Sequence, residues 1–234
     1  MNSAIHTSAP ATRPGRVLNL GTLGYEDALA LQVSLRDQRI AGSIPDTLIL
    51  LEHPPVITVG RSGNTENVLV SDAVLKENGI ELYHTNRGGD VTYHGPGQLV
   101  GYTILDLKPY GLDLRLHLRR IEEVVIQALK AFDIQATRVP GLTGVWVKDE
   151  KIASIGLHIK RWVTMHGFAL NLQPQLQHFS FIHPCGIRDR SMTSMERLLG
   201  HLVEPDLVRK ELAVAFGVVF GLALEEESAR HAVT

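Results

Sequence analysis

Between Leu112 and Phe132 the apolar positions Leu114, Leu118, Ile121, Val125, Ala128 and Phe132 recur every three or four residues. Arg115, Arg119, Glu122 and Lys130 fall between them, so the segment is predicted to be a long amphipathic helix with one buried stripe. A second helix is expected from Tyr25 to Ile40, with Glu26 and Asp27 in the first turn, where carboxylates suit the positive end of the aligned peptide dipoles. Other runs read as strands: Val17 to Leu20, Asp46 to Glu52, Val56 to Gly60, Ile80 to His84, Val91 to His94, Leu99 to Leu107 and Thr164 to Leu172. Asp46 to Glu52 and Val56 to Gly60, parted by His53-Pro54-Pro55, are expected to be neighbours in one sheet. Val139 to Ile159 reads as two strands joined by the turn Lys148-Asp149-Glu150. Shorter helices are expected at Ser71 to Asn78, Ser191 to Leu199 and Pro205 to Phe216, and Val218 to Leu224 is a closing strand or a helix extension.

Strands that follow one another without an intervening helix point to an α+β fold, with a mixed, mostly antiparallel sheet packed by helices. Nothing splits the chain. The expectation is a disordered tail over 1–16 and a single domain over 17–234.

At 234 residues, 44% of them hydrophobic and 21% charged, the chain is long enough for one substantial core. The formal net charge of -2 leaves no basic footprint for nucleic acid or an anionic membrane, so a macromolecular partner is expected to be a protein. The longest run without a charged or strongly polar residue, Leu212 to Leu224, falls short of the ~18 apolar residues of a membrane span. The N-terminal residues lack the apolar stretch of a secretory signal, although two arginines and no acid give them a weak likeness to an organellar transit peptide. A single cysteine, Cys185, rules out an intrachain disulfide and fits a reducing, cytoplasmic setting.

Chemistry concentrates in Arg87 to Leu107, which reads as strand, tight turn, strand, with Gly88-Gly89 at its start and Gly95-Pro96-Gly97 at the turn. Arg87, Tyr93, His94 and Gln98 cluster there, on glycines that let backbone amides approach a ligand. Cys185, between Pro184 and Gly186, is either a small buried hydrophobe or a nucleophile, and its loop position favours the second. A free thiol titrates near about 8.5, so a nucleophile needs a neighbouring cation, histidine or lysine. Two-residue alternation puts Lys151 on one face with Ala153, Ile155 and Leu157. Its ammonium is then either drawn out to water or partly desolvated for a catalytic task. Facing Cys185, it would need to lower the thiol by only ~1.5 units, about 2 kcal/mol, to make thiolate dominant at neutral pH. The eleven histidines include no H-E-x-x-H pair, and His158 and His166 read as surface or hydrogen-bonded strand residues. Neither a P-loop nor a dinucleotide fingerprint is present.

Three motifs in order, R-G-G-D-V-T-Y-H-G-P-G-Q, then K-I-A-S-I-G-L-H-I with H-G-F-A-L-N, then H-P-C-G-I, closely resemble the lipoyl(octanoyl) transferase family, usually called LipB. The resemblance runs from about Leu20 to the C-terminal helix. It implies the fold of biotin and lipoate protein ligases, related to class II aminoacyl-tRNA synthetases. It also implies transfer of octanoyl from octanoyl-acyl carrier protein to a lysine of lipoyl domains, those of 2-oxoacid dehydrogenase E2 subunits and the glycine cleavage H protein. By position, Cys185 would form the acyl thioester and Lys151 would lower its pKa. Arg87, Gly88, Gly89, Asp90, Val91, Thr92, Tyr93 and His94 would line the acyl site, together with Ser154, Ile155, Gly156, Gly167, Phe168 and Ala169. No cofactor or metal is expected, because a thioester is already activated, and the protein is expected to act as a monomer. Octanoyl selection would rest on an apolar slot, at ~0.8 kcal/mol per buried methylene. The rival readings are an ATP-dependent ligase of the same fold and a non-catalytic scaffold.

Overall fold

In the computed structural model, which describes residues 12–183 and 191–228, the chain forms ten strands and five α-helices. The strands are β1 (Arg13–Thr22), β2 (Asp46–Glu52), β3 (Val56–Val59), β4 (Glu81–His84), β5 (Val91–His94), β6 (Gln98–Ile104), β7 (Val145–Val147), β8 (Glu150–Lys160), β9 (Val163–Asn171) and β10 (Leu222–Ser228). The helices are α1 (Tyr25–Ala41), α2 (Asp72–Glu77), α3 (Leu114–Lys130), α4 (Met195–Leu199) and α5 (Pro205–Phe220). Seven strands make one mixed sheet in the order β10-β1-β2-β6-β9-β8-β7, parallel across β10, β1 and β2 and antiparallel from there on. A second sheet holds β4-β3-β5.

Helices cover both faces of the large sheet. Ile121, Val125 and Ala128 of α3 pack with Leu212 and Phe216 of α5 against Leu99, Val145 and Leu170. Ala28 and Leu35 of α1 pack on the other face, against Ile49, Val100 and Met165. Every residue of β6 is buried, as a central strand covered on both sides must be. Of the predicted stripe of α3, Ile121, Val125 and Ala128 are buried while Leu114 is exposed, and Glu122, expected off the stripe, is buried; the helix starts where the Asp113 carboxylate accepts the Arg115 and Leu116 amides.

Two expectations are corrected. Residues 13–16 belong to β1, not to a tail. Arg13 pairs in register with Leu222, and the Arg16 side chain donates to Thr47 and Glu227. Residues 1–11 lie outside the described residues. Second, β2 and β3 are not neighbours, because β3 pairs only with β4 and β5 in the smaller sheet. The expected strand, turn, strand is present as β5, Gly95-Pro96-Gly97 and β6, but the two strands do not pair with each other, and the chain crosses from one sheet to the other there. Gly97 makes the crossing in a left-handed conformation, φ 82°, with its amide on Glu52 and its carbonyl accepting from Leu172 and Gln173. At the end of the chain, α5 continues to Phe220, stops at left-handed Gly221, and β10 follows. No helix among the described residues is long and apolar enough to cross a membrane.

One buried group is out of keeping with its surroundings. His117 on α3 is 1% exposed against Phe220, and neither ring nitrogen has a hydrogen-bond partner among the described residues. A buried N–H without an acceptor costs ~1–3 kcal/mol. His117→Leu is therefore expected to raise stability at pH 7 by roughly 1 kcal/mol, a few degrees in Tm. A lower melting temperature in a thermal scan would contradict this account.

Candidate active site

The site is built on the edge of β8, where the ladder with β7 is irregular. Val145 pairs with Ala153 but Trp146 pairs with Lys151, so Ile152 is an extra residue and the strand carries a β-bulge. Ile152 and Ala153 both join the Val145 core, while Lys151 turns to the opposite side with Trp146. This overturns the simple alternation that grouped Lys151 with Ala153. Lys151 is 5% exposed, with Nζ 5.4 Å from the centroid of the Trp146 ring. Its own peptide pairs with the segment after Cys185: the Lys151 amide donates to Ser191 O at 2.9 Å, and Thr193 N donates back at 2.9 Å.

On the other side of Cys185, His183 N donates to Asn67 O and Leu69 N to Phe181 O. Residues 184–190, Cys185 among them, lie outside the described residues. The chain is thus held at His183 and at Ser191, the second anchor being Lys151 itself.

Beyond Ala153 no strand among the described residues covers the outer edge of β8, and the segment Arg87-Gly88-Gly89-Asp90 runs there instead. Gly88 N donates to Leu157 O at 2.8 Å, while Gly60, Arg61 and Ser62 donate to the carbonyls of Asp90, Arg87 and Gly89. Glycine is required at this approach. A Cβ on Gly156 would lie 2.8 Å from Gly88 O, and one on Gly60 would overlap Gly89 O. Arg87 is fixed from beneath, with Nε and Nη2 on Thr58. Because Leu157 presents its peptide outward, the two-residue alternation turns the Ile155 peptide to the same edge.

Two cavities meet at Gly89, Ile155 and Gly156. The inner, narrower one is lined by Arg87, Thr92, His94, Ser154, Gly167, Phe168 and Ala169, all expected from the sequence. Tyr25, Val100, Tyr102 and His166 join them unforeseen. The outer basin takes Gly88, Asp90 and Lys151, together with Leu114 and Leu118 of α3. Val91 and Tyr93 line neither. Alternation along β5 sends Thr92 and His94 to the slot, and turns Val91 and Tyr93 into the core of the small sheet, where Tyr93 packs on Phe179.

Four polar rings, Tyr25, His94, Tyr102 and His166, line the slot, and each has a polar atom tied back, that of Tyr102 by His53 just behind the wall. His53 donates from Nδ1 to Leu23 O and accepts the Tyr102 hydroxyl on Nε2 at 2.6 Å. His94 donates from Nδ1 to Gln98 Oε1, and His166 from Nε2 to Asn86 Oδ1. His166 also sits at φ 60° inside β9, its amide diverted to the buried Gln32 side chain. That is an unusual backbone for a non-glycine strand residue, and it aims the ring at the cavity. From His94 a buried relay continues: Gln98 Nε2 donates to Asn171 Oδ1, and Asn171 Nδ2 donates to Thr193 O. The slot and the segment after Cys185 are joined by it.

Residues 24–217 match the family described as the lipoyl protein ligase A/B catalytic domain. The octanoyltransferase of Caldicellulosiruptor saccharolyticus is 52% identical over 207 residues, 88% of either chain. That of Alkaliphilus metalliredigens is 47% identical, over 90% of this chain and 97% of the other. Among solved structures, lipoate-protein ligase A bound with ATP superposes with a TM-score of 0.76 at 19% identity, covering 94% of this chain and 90% of that one. The bi-partite lipoate protein ligase of Thermoplasma acidophilum gives 0.74 at 21% identity, covering 94% and 89%. The two ligases share the fold: a mixed sheet packed by helices. This chain belongs to the lipoyl protein ligase A/B catalytic domains. Within them it is a member of the lipoyl(octanoyl) transferase family, and so an acyltransferase.

Burial holds the slot histidines neutral: desolvation pushes His53 down to about 4 and His94 and His166 to about 3, and His117 outside the site is likewise at about 4. The unfolded chain, titrating at the ordinary 6.5, therefore takes up protons first as pH falls. Stability contributed by these groups is complete above 6.5 and is lost from there down to about 3 to 4, at up to ~1.4 kcal/mol per pH unit for each histidine. Urea unfolding at pH 7 and pH 5 is expected to show a clear drop at the lower pH, smaller in His94→Gln. Equal midpoints at the two pH values would mean the rings are not buried neutral.

Proposed function

We propose that the chain takes octanoyl from the thioester of octanoyl-acyl carrier protein onto Cys185 and passes it to the amine of a lysine on a lipoyl domain. The observation that carries the reading is the position of Lys151: a buried ammonium on the outer basin whose peptide is hydrogen-bonded to the segment six residues after the thiol. An ammonium in that setting favours a thiolate over a thiol. The octanoyltransferase relatives and the shared ligase fold support the same assignment.

In the first step the Cys185 thiolate adds to the thioester carbonyl, and the carrier's sulfur leaves and takes the proton of the Lys151 ammonium, so Lys151 is left as a neutral amine. The second step adds the acceptor amine to the acyl-cysteine. Its surplus proton goes to Lys151, which no longer faces an anionic sulfur once the cysteine is acylated, and the Cys185 thiolate leaves. The Gly88 amide is already engaged with Leu157 O, so the Ile155 and Gly89 amides at the junction of the cavities are the proposed donors to the tetrahedral oxygen. The acyl tail then lies in the inner slot between Val100, Phe168 and the tied-back rings, and the basin admits the carrier's arm and the acceptor lysine. No ATP enters either step, since thioester aminolysis runs downhill.

Incubation with octanoyl-acyl carrier protein is expected to add one octanoyl mass to the intact chain, and none to Cys185→Ser. Acyl transfer by that variant is expected to fall by roughly 10³-fold or more. Lys151→Ala is expected to raise the midpoint of the alkylation pH profile and slow loading. Transfer by Cys185→Ser that depends on ATP and free octanoate would replace this reading with the ligase one.

A further inference from the structure

The Lys151 side chain is held from below by a glycine that none of the three motifs contains. Gly144, just before β7, has φ 124°, a conformation L side chains rarely adopt. Its missing Cβ points at Lys151: a methyl there would overlap Lys151 Cε, lie 2.7 Å from Ala153 O, and reach 3.2 Å from Lys151 Nζ. Trp146, two residues on, supplies the ring beside the same ammonium. Gly144 is in turn fixed by α3. Its amide donates to Glu122 Oε1 at 3.2 Å, and Glu122 is 1% exposed. The other carboxylate oxygen accepts Arg119 Nη1 at 2.7 Å and Arg138 Nε at 3.1 Å, so the buried charge is paired on both sides.

We propose that Gly144 is a positioning residue for Lys151, and that the Glu122 carboxylate holds the Gly144 peptide at the depth where the lysine stem can lie across it. The loop ahead of Gly144 lines the same basin through Gly141, Leu142 and Thr143, so one carboxylate on α3 sets both the floor under the ammonium and part of the basin wall. The inference rests on the acyl-transfer role of Lys151 proposed above. It adds that the lysine stem keeps its place at the basin only because the residue beneath it has no side chain.

The test reads the Cys185 alkylation rate against pH, and the octanoyl loading rate, in Gly144→Ala, Glu122→Gln, Lys151→Ala and the double variant Lys151→Ala with Gly144→Ala. Gly144→Ala is expected to raise the alkylation midpoint by about one unit, toward the Lys151→Ala value, and to slow loading at neutral pH by ~10-fold. On the Lys151→Ala background it is expected to add less than about twofold, because two changes acting through one group do not sum. A wild-type alkylation profile for Gly144→Ala, or its full loss added on top of Lys151→Ala, overturns the proposal. Should Gly144→Ala fail to fold, Glu122→Gln decides: a smaller rise of the midpoint that vanishes on the Lys151→Ala background supports it, and an unchanged midpoint overturns it. A Lys151→Ala variant that itself alkylates like wild type removes the parent reading along with this one. A shift in Lys151→Ala without one in Gly144→Ala removes this one alone.

Discussion

Ile152 and Ala153 both oppose Val145, and that single extra residue in β8 decides where the chemistry can sit. Without it, Lys151 would continue the row of Ala153 and point toward the α3–α5 core, where an ammonium costs several kcal/mol to desolvate. With it, the side chain emerges beside an indole and a glycine, and the peptide is free to bind Ser191 and Thr193. A β-bulge is a modest local irregularity with a large effect on direction, and here it re-aims one lysine and recruits one strap of chain.

The slot shows a second economy. The inner slot proposed for the acyl tail has two histidines and two tyrosines in its wall beside Val100, Ile155 and Phe168. Each ring has a polar atom engaged behind the wall: the Tyr25 hydroxyl with Thr85, the Tyr102 hydroxyl with His53, His94 Nδ1 with Gln98 and His166 Nε2 with Asn86. The arrangement is rigid in a way a leucine lining is not, because each ring is held by a hydrogen bond as well as by packing. It also couples the lining to Asn171 and Thr193, so the wall of the slot and the frame around Lys151 are parts of one polar network.

Much of the fold could be read from periodicity alone: α1, α3, β2, β6 and the β7–β8 hairpin lie within a few residues of their expected places. Long-range pairing could not. A run such as Val56 to Val59 has the same pattern whether its neighbour is β2 or β4, and only the packing of the small sheet decides. The glycine motifs and the lysine were legible because their spacing is local and distinctive. Tyr25, Tyr102 and His166 were not, since a tyrosine in a first helical turn or a histidine in a strand has many uses, and what draws them to one cavity is the crossing of α1, β6 and β9. The bulge itself leaves no trace in the residue pattern, as K-I-A-S-I alternates well enough to suggest a regular strand.

The parallel pairing of β1 with β10 has a bearing on how the molecule is made. Arg13 to Asn19 find their partners in Leu222 to Ser228, about two hundred positions later. As synthesis proceeds from the N-terminus, β1 can join β2 early but must wait, with one edge bare, until almost the whole polypeptide has left the ribosome. An exposed row of amides and carbonyls next to Val17 and Leu18 is the kind of surface on which nascent chains aggregate, and chaperone dependence of this protein would be traced first to that edge.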